Sequence, residues 1–328
     1  MRRRLLVVGC GRWGQNVLRT LGTLPGVTVA AVVDPSEAAR RRALRLWPGA
    51  RGFSHLGDAL ASARVDGAVV AAPPRLHGAL LGLCVDAGLP CYVEKILSVD
   101  PQEARSLVAR ATAPVMVGLC TRHHVAHVTL AAHRERIGTI RHVAAVRASH
   151  GLGRHGVDVL WDLGPHDLAA LMALFEPRPI GARVRHRIEA HGLTLAATLR
   201  VDFPGGRGAD LRWSWLEDRP QRRWWVTGHC GTATIDEQDP TLPLQIRSAG
   251  PCAEAVPLPP FEPPLTAALR RFLGAEDHVD VEEGLAIVDI LHRLSPLVPE
   301  GSARDAGVPA RALRAQSHAA LSPSPDRR

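Results

Sequence analysis

The run Leu5–Val8 followed by Gly9-Cys10-Gly11-Arg12-Trp13-Gly14 constrains this chain more than any other feature. Four successive apolar residues make a short strand buried on both faces, and three glycines at that spacing lead it straight into a helix. Gly9 permits the tight turn, Gly11 lets backbone approach a pyrophosphate, and Gly14 lets the helix pack on the strand. A helix over about Arg12–Leu24 follows, then a second apolar run, Val27–Val33, ending at Asp34. Pro35-Ser36-Glu37 opens the next helix through proline and acidic first-turn preferences. Strand, glycine turn, helix, strand and terminal acid together predict a dinucleotide site. The helix N-terminus supplies donors to the anion, and Asp34 accepts from an adenosine ribose. Gly9, Gly11, Arg12, Trp13, Gly14 and Asp34 are therefore cofactor-binding candidates. Asp34 repels a 2′-phosphate, which favours NAD, while Arg40–Arg42 nearby keep NADP as the alternative.

The alternation continues with strands at Gly67–Ala72, Cys91–Val93 and Val115–Leu119 and helices over Leu76–Ala87 and Pro101–Ala111. Strands alternating with helices predict an α/β, doubly wound parallel sheet, a Rossmann domain over residues 1–120. Beyond that point strand-like runs succeed one another: Ile140–Ser149, Ile180–Ala190, Leu193–Phe203, Ala209–Leu216, Arg223–Thr227 and Thr232–Ile235. Helices are expected at Leu163–Phe175, Leu265–Leu273 and Glu282–Leu294. Residues 121–300 thus read as a C-terminal α+β domain with an open, largely antiparallel sheet, whose exposed face suits a homodimer or homotetramer. Residues 301–328, rich in Ala, Arg, Ser and Pro, read as a disordered tail.

Composition narrows the chemistry. Among 40 basic residues the only lysine is Lys95. Biased usage of Arg, Ala and Gly accounts for the arginines, yet one position kept a compact ammonium where a planar guanidinium will not serve. The net charge of +8 is spread along the chain without zinc-finger spacing or an RNA-binding aromatic signature, so neither nucleic acid nor a membrane is an expected partner. Six cysteines without a Cys-x-x-Cys pair read as reduced thiols of a cytoplasmic protein. The apolar run before Gly9 is too short for a signal peptide, and no stretch is long enough for a membrane span.

Three further segments carry a resemblance: Ala71-Ala72-Pro73-Pro74-Arg75-Leu76-His77, Val93-Glu94-Lys95, and Asp162-Leu163-Gly164-Pro165-His166. With the glycine fingerprint, the chain resembles the Gfo/Idh/MocA oxidoreductases over about residues 5–298. That family couples a Rossmann domain to an open-faced sheet domain and acts mainly on sugars and cyclitols. Its Glu-Lys-Pro motif falls on Glu94-Lys95-Ile96, with isoleucine in place of proline, and its Asp-x-x-x-His motif on Asp162 and His166. The resemblance implies Lys95, Asp162 and His166 as catalytic residues, and Pro73, His77, Glu94 and Lys95 as cofactor neighbours. Leu160–Asp167, with Ser214-Trp215-Leu216, is similar to the branch that oxidises nucleotide-linked amino-sugar acids at a ring hydroxyl.

The residue chemistry agrees. Asp162 and His166 are one helical turn apart and share a face. Histidine titrates near neutrality and can take a hydroxyl proton as hydride leaves the carbon, while the Lys95 ammonium can donate to the reacting oxygen. Blander readings make Asp162 a helix cap, His166 a core residue, His77 a helix-start residue, Glu94 a packing residue and Asp167 a structural helix residue. Tyr92, the only tyrosine, stands three positions from Lys95, whereas the short-chain dehydrogenase pair needs four on a helix. Cys120, His123, His124 and His127 lack the carboxylate or cysteine pair that completes a zinc site, so no metal is expected. Trp213 and Trp215 share a strand face and read as core or interface. The expected function is hydride transfer between a nicotinamide and a ring hydroxyl or ketone of a sugar-like small molecule. The alternatives are a carbonyl or imine reductase of specialised metabolism and a non-catalytic NAD-binding regulator.

Overall fold

The computed structural model describes residues 2–150, 157–175, 178–248 and 253–295, so the tail expected from 301 lies outside the described residues. Among these residues the chain divides into two compact units. One is drawn from the described residues of 2–128, 168–170 and 259–292, and the other from those of 129–167, 171–258 and 293–295.

The first unit begins β1 (Arg3–Val8), α1 (Arg12–Thr23), β2 (Val27–Val33), α2 (Glu37–Leu46), β3 (Arg51–Phe53), α3 (Leu56–Ser62) and β4 (Gly67–Val70). It continues α4 (His77–Asp86), β5 (Cys91–Glu94), α5 (Pro101–Arg110) and β6 (Val115–Gly118), and α6 (Val125–Ala132) follows. The six strands are all parallel in the order β3-β2-β1-β4-β5-β6. Leu5, Leu6, Val7 and Val8 are each at most 2% exposed, as a strand covered on both faces requires. Helix α1 buries Val17, Leu18 and Leu21 along one stripe. Ser36 caps α2 and Asp100 caps α5, each through its side chain. The strand order reverses at β1 and β4, which puts a topological switch point at their carboxyl ends. β3, α3 and α6 escape the sequence pattern in this stretch, being too short for a period to show.

The second unit carries β7 (Ile140–His150), α7 (Val159–Leu174), β8 (Gly181–Ala190), β9 (Leu193–Phe203), β10 (Arg207–Ser214), β11 (Leu216–Gly228), β12 (Thr232–Asp236), β13 (Leu244–Arg247) and β14 (Glu254–Ala255). Its sheet runs β14-β13-β12-β11-β7-β10-β9-β8 and is antiparallel except where β7 meets β10. The strand period decides which side is packed: Trp224 is 1% exposed and its neighbour Trp225 44%. The packed face also carries Val143, Ala145, Leu199, Leu211 and Trp213, all buried.

Two late helices, α8 (Pro264–Leu273) and α9 (Val281–Leu294), each begin one residue before the expected start and end where expected. Residues 259–292 stand with the first unit, where the sequence pattern assigned everything from 121 to 300 to the second domain. Ala268, Leu269 and Phe272 join the core built around β1, α1 and β2, and the Phe272 ring meets Tyr92 edge-on at 5.9 Å. Val279 extends the sheet edge, donating to Val115 O and accepting from Val117 N. An amphipathic pattern shows that a helix has an apolar face but not which core receives it.

Candidate active site

The nucleotide end of the first unit is built around three glycines. Gly9 holds φ at +91°, and a Cβ there would stand 2.6 Å from the Ala71 carbonyl oxygen, so both conformation and space require glycine. A Cβ on Gly14 would stand 2.0 Å from the Gly9 carbonyl oxygen, which is how closely α1 approaches the turn. Gly11 differs: a Cβ would meet nothing within 4 Å, and no side chain caps α1 at this position. Open space at a helix N-terminus without a side-chain cap is where an anion binds. At the end of β2, the Asp34 carboxylate accepts from Cys10 N and Ser36 N, both at 2.8 Å. Two oxygens carry about four acceptor sites, so capacity for ribose hydroxyls remains. The Arg40 guanidinium donates to the Asp34 carbonyl oxygen at 2.7 Å. Burial, assisted by Asp34, pushes the Cys10 thiol up to about 12, which makes it a packing residue. These residues fit a dinucleotide with its pyrophosphate at the α1 terminus and its adenosine ribose at Asp34.

The carboxyl ends of β4 and β5 lie on the same sheet edge. Lys95 follows β5 directly and is half-buried, and the Lys95–Ile96 peptide is cis. Glu94 is buried, and burial holds its carboxyl above the ordinary range, opposed by hydrogen bonds from the Trp13 indole and the Tyr92 hydroxyl and by the Lys95 charge. The Tyr92 contact is 3.1 Å. Glu94 thus ties the glycine loop, through Trp13, to the strand that carries Lys95, a link that residue types alone did not reveal. His77 is fully buried with Nδ1 at 2.6 Å from Ile96 O and Nε2 at 2.7 Å from Ala72 O. Burial lowers its pKa despite those carbonyls, with the Lys95 charge adding to the effect. The ring braces the loop beyond Lys95 against the end of β4, while Pro73 is exposed beside it.

In the second unit α7 carries both residues of the Asp-x-x-x-His pair. Its N-cap is Asp158, whose Oδ1 accepts from Leu160 N and Trp161 N at 3.0 and 3.2 Å and whose Oδ2 accepts from Ser295 at 2.7 Å. The capping role considered for Asp162 therefore belongs to a different aspartate. Burial raises the Asp158 carboxyl, and those hydrogen bonds oppose it. Asp162 and His166 are half-buried while Leu163, Gly164, Pro165 and Asp167 between and after them are buried, so one stripe of the helix remains accessible. Asp162 accepts from the Trp215 indole at 3.1 Å. Asp167 is 0% exposed and accepts from Arg147 Nε at 2.6 Å and the Trp213 indole at 2.8 Å. Arg147 also donates to both oxygens of Glu237. Burial opposes the Arg147 charge, but Asp167 and Glu237 outweigh it and hold the guanidinium above its ordinary value. Burial, with Glu237, raises Asp167.

Of the histidines after β6, His123 lies in a short 3-10 turn before α6 begins at Val125, so His123 and His127 do not lie on one helix. The His124 and His127 rings meet edge-on at 5.6 Å, and Arg122 pairs with Glu283 at 3.0 Å. Among the described residues no group of three His, Cys, Asp or Glu side chains converges as metal ligands. No helix among them is long and apolar enough to cross a membrane.

A glycine-turn dinucleotide site on a parallel sheet, followed by a mixed open-faced sheet, defines a class of two-part oxidoreductases. Residues 3–128 match the oxidoreductase family GFO/IDH/MocA, NAD-binding Rossmann fold, and residues 126–234 match the GFO/IDH/MocA C-terminal domain. The chain belongs to this family. It is 37% identical over 102 residues to inositol 2-dehydrogenase from Leifsonia xyli, an alignment covering 31% of this chain and 30% of that protein. The chain thus spans about a third of the length of the first curated relatives it matches. UDP-N-acetylglucosamine 3-dehydrogenase from Acidithiobacillus ferrooxidans is 27% identical over 255 residues, covering 76% of this chain and 78% of that one. A crystal structure of that dehydrogenase shares the fold, with a TM-score of 0.78 at 24% identity over 90% of this chain and 97% of the other.

Proposed function

We propose that this chain is an NAD-dependent dehydrogenase or ketoreductase acting on a ring hydroxyl or ketone of a cyclitol or a nucleotide-linked sugar. The observation that carries the reading is the placement of the chain's only lysine at the carboxyl end of β5, tied through Glu94 and Trp13 to the glycine turn. Gly11 would face the pyrophosphate, in a turn that Gly9 and Gly14 shape, and Asp34 would hold the adenosine ribose, with Arg12 and Pro73 bordering the cofactor and the buried His77 bracing the loop beside it. When bound, the nicotinamide accepts hydride from the substrate carbon or returns it. Lys95 donates to the reacting oxygen and stabilises its developing negative charge. His166 takes the hydroxyl proton during oxidation and gives it back during reduction. Asp162 orients the substrate. The preference for NAD rests on Asp34, which opposes a 2′-phosphate.

The names of the relatives suggest the first substrates: inositol and UDP-N-acetylglucosamine, each assayed with NAD and NADP by absorbance of the reduced nicotinamide. Turnover of either, lost in Lys95→Ala and in His166→Ala proteins that still bind NADH, is the expected result. Near-normal rates in both variants refute the assigned roles, and no turnover of any sugar or cyclitol refutes the function. A homodimer or homotetramer through the open sheet face, on which Trp225 is exposed, belongs to the same reading and is measured by light scattering. We also propose cytoplasmic residence, to be checked by cell fractionation.

A further inference from the structure

Helix α7 presents two carboxylates to two tryptophans in the same way. Trp213 and Trp215 stand two residues apart and point to one face, and their indoles donate to Asp167 at 2.8 Å and to Asp162 at 3.1 Å. The donors are chemically identical, and the surroundings are opposite. Asp167 is sealed at 0% exposure, and Arg147, itself bound to Glu237, supplies its second partner. A carboxylate so enclosed cannot reach a substrate, and with Glu237 it forms a buried cluster whose loss leaves charges uncompensated. Asp162 lies on the accessible stripe of the same helix, beside His166.

We propose that Trp215 is a positioning residue, whose indole N–H fixes the Asp162 carboxylate for substrate, while the Trp213–Asp167–Arg147–Glu237 cluster anchors the helix that carries it. This division of roles rests on the proposed dehydrogenase function. An indole is rigid and has one donor, so it selects one carboxylate orientation, and the Trp215 backbone N–H is itself held by Leu195 O at 2.9 Å. Small displacements of a group that orients substrate cost rate rather than affinity when the contact tightens only in the transition state.

The test compares Trp215→Phe with Trp213→Phe in the full chain, since phenylalanine keeps most of the packing and deletes the donor. Trp215→Phe should lower kcat by about 10- to 100-fold on whichever substrate the wild type turns over, with KM within about threefold and a urea midpoint lowered by at most about 0.5 M. Trp213→Phe should instead lower the urea midpoint, by about 1 M. A second readout needs no turnover: in protein labelled with 15N at its seven tryptophans, the indole signal lost in Trp215→Phe should move in Asp162→Asn. A wild type inactive on every sugar and cyclitol overturns the functional reading and the positioning role with it. An active wild type whose Trp215→Phe variant keeps kcat within twofold, or a Trp215 signal unmoved in Asp162→Asn, overturns the positioning role alone.

Discussion

Replacing Gly14 with alanine places a methyl group 2.0 Å from the Gly9 carbonyl oxygen, where ordinary contact begins at 3.4 Å, so α1 must retreat by the difference, about 1.4 Å. The obstructing atom is backbone, in a turn that is itself fixed by the bond from Gly9 N to Val33 O at 2.8 Å. Overpacking at a site that cannot yield costs about 3 kcal/mol, and alanine recovers about 1 kcal/mol of helix propensity, leaving a loss of about 2 kcal/mol. Gly11→Ala is the control, because its Cβ meets nothing within 4 Å. That variant should lose at most about 1 kcal/mol, the difference between glycine and alanine at an N-cap. Its Cβ occupies the space expected for the pyrophosphate, so NADH affinity should fall at least about tenfold, or about 1.4 kcal/mol. Urea unfolding and NADH titration of both proteins separate the effects: with a slope of about 2 kcal/mol/M, Gly14→Ala shifts the midpoint down by about 1 M. A Gly14→Ala protein with the wild-type midpoint, or a Gly11→Ala protein with wild-type affinity, refutes the assignment of packing to one glycine and cofactor space to the other.

Phe272→Ala removes a ring that is 5% exposed within the core of the first unit, and should cost about 3–5 kcal/mol in urea unfolding. A loss below about 1 kcal/mol would separate α8 from that core. Burial holds the Glu94 carboxyl above its ordinary value of 4.5, so the folded chain keeps this proton to higher pH than the unfolded chain does. Its contribution to stability is full below 4.5 and is lost as pH rises through the folded value. Glutamine cannot ionise, so the stability of wild type relative to Glu94→Gln should fall over that window, as followed by urea midpoints from acid to neutral pH; a flat difference refutes the sign.

The parallel sheet was legible because its strands are short apolar runs such as Leu5–Val8, which few other arrangements can bury, and the glycine turn marks where the sheet meets solvent. Lys95, Asp162 and His166 were open to proposal as site residues from residue type, spacing and resemblance. Their supports were not. Arg147 reaches Asp167 across 20 positions of sequence and Glu237 reaches Arg147 across 90, contacts that no local pattern announces. Trp13 read only as a cofactor-binding candidate and Tyr92 only as half of a rejected Tyr–Lys pair, and neither reading showed that both donate to Glu94. His77 read equally as a cofactor neighbour and as a helix-start residue, and its contact with Ile96 O depends on where the chain goes after Lys95.

The return of residues 259–292 to the first unit bears on the order in which the chain acquires structure during synthesis. A nascent chain released only to Val128 has made all six parallel strands but not Leu269 or Phe272, which complete their core, nor Val279, which borders β6. The nucleotide-binding half must therefore wait, incompletely covered, while the whole eight-stranded sheet is translated. Ribosome-bound chains from which only the residues before 259 have emerged should accordingly be more protease-sensitive near Tyr92 than chains from which residue 295 has emerged, although both contain every strand of the first sheet.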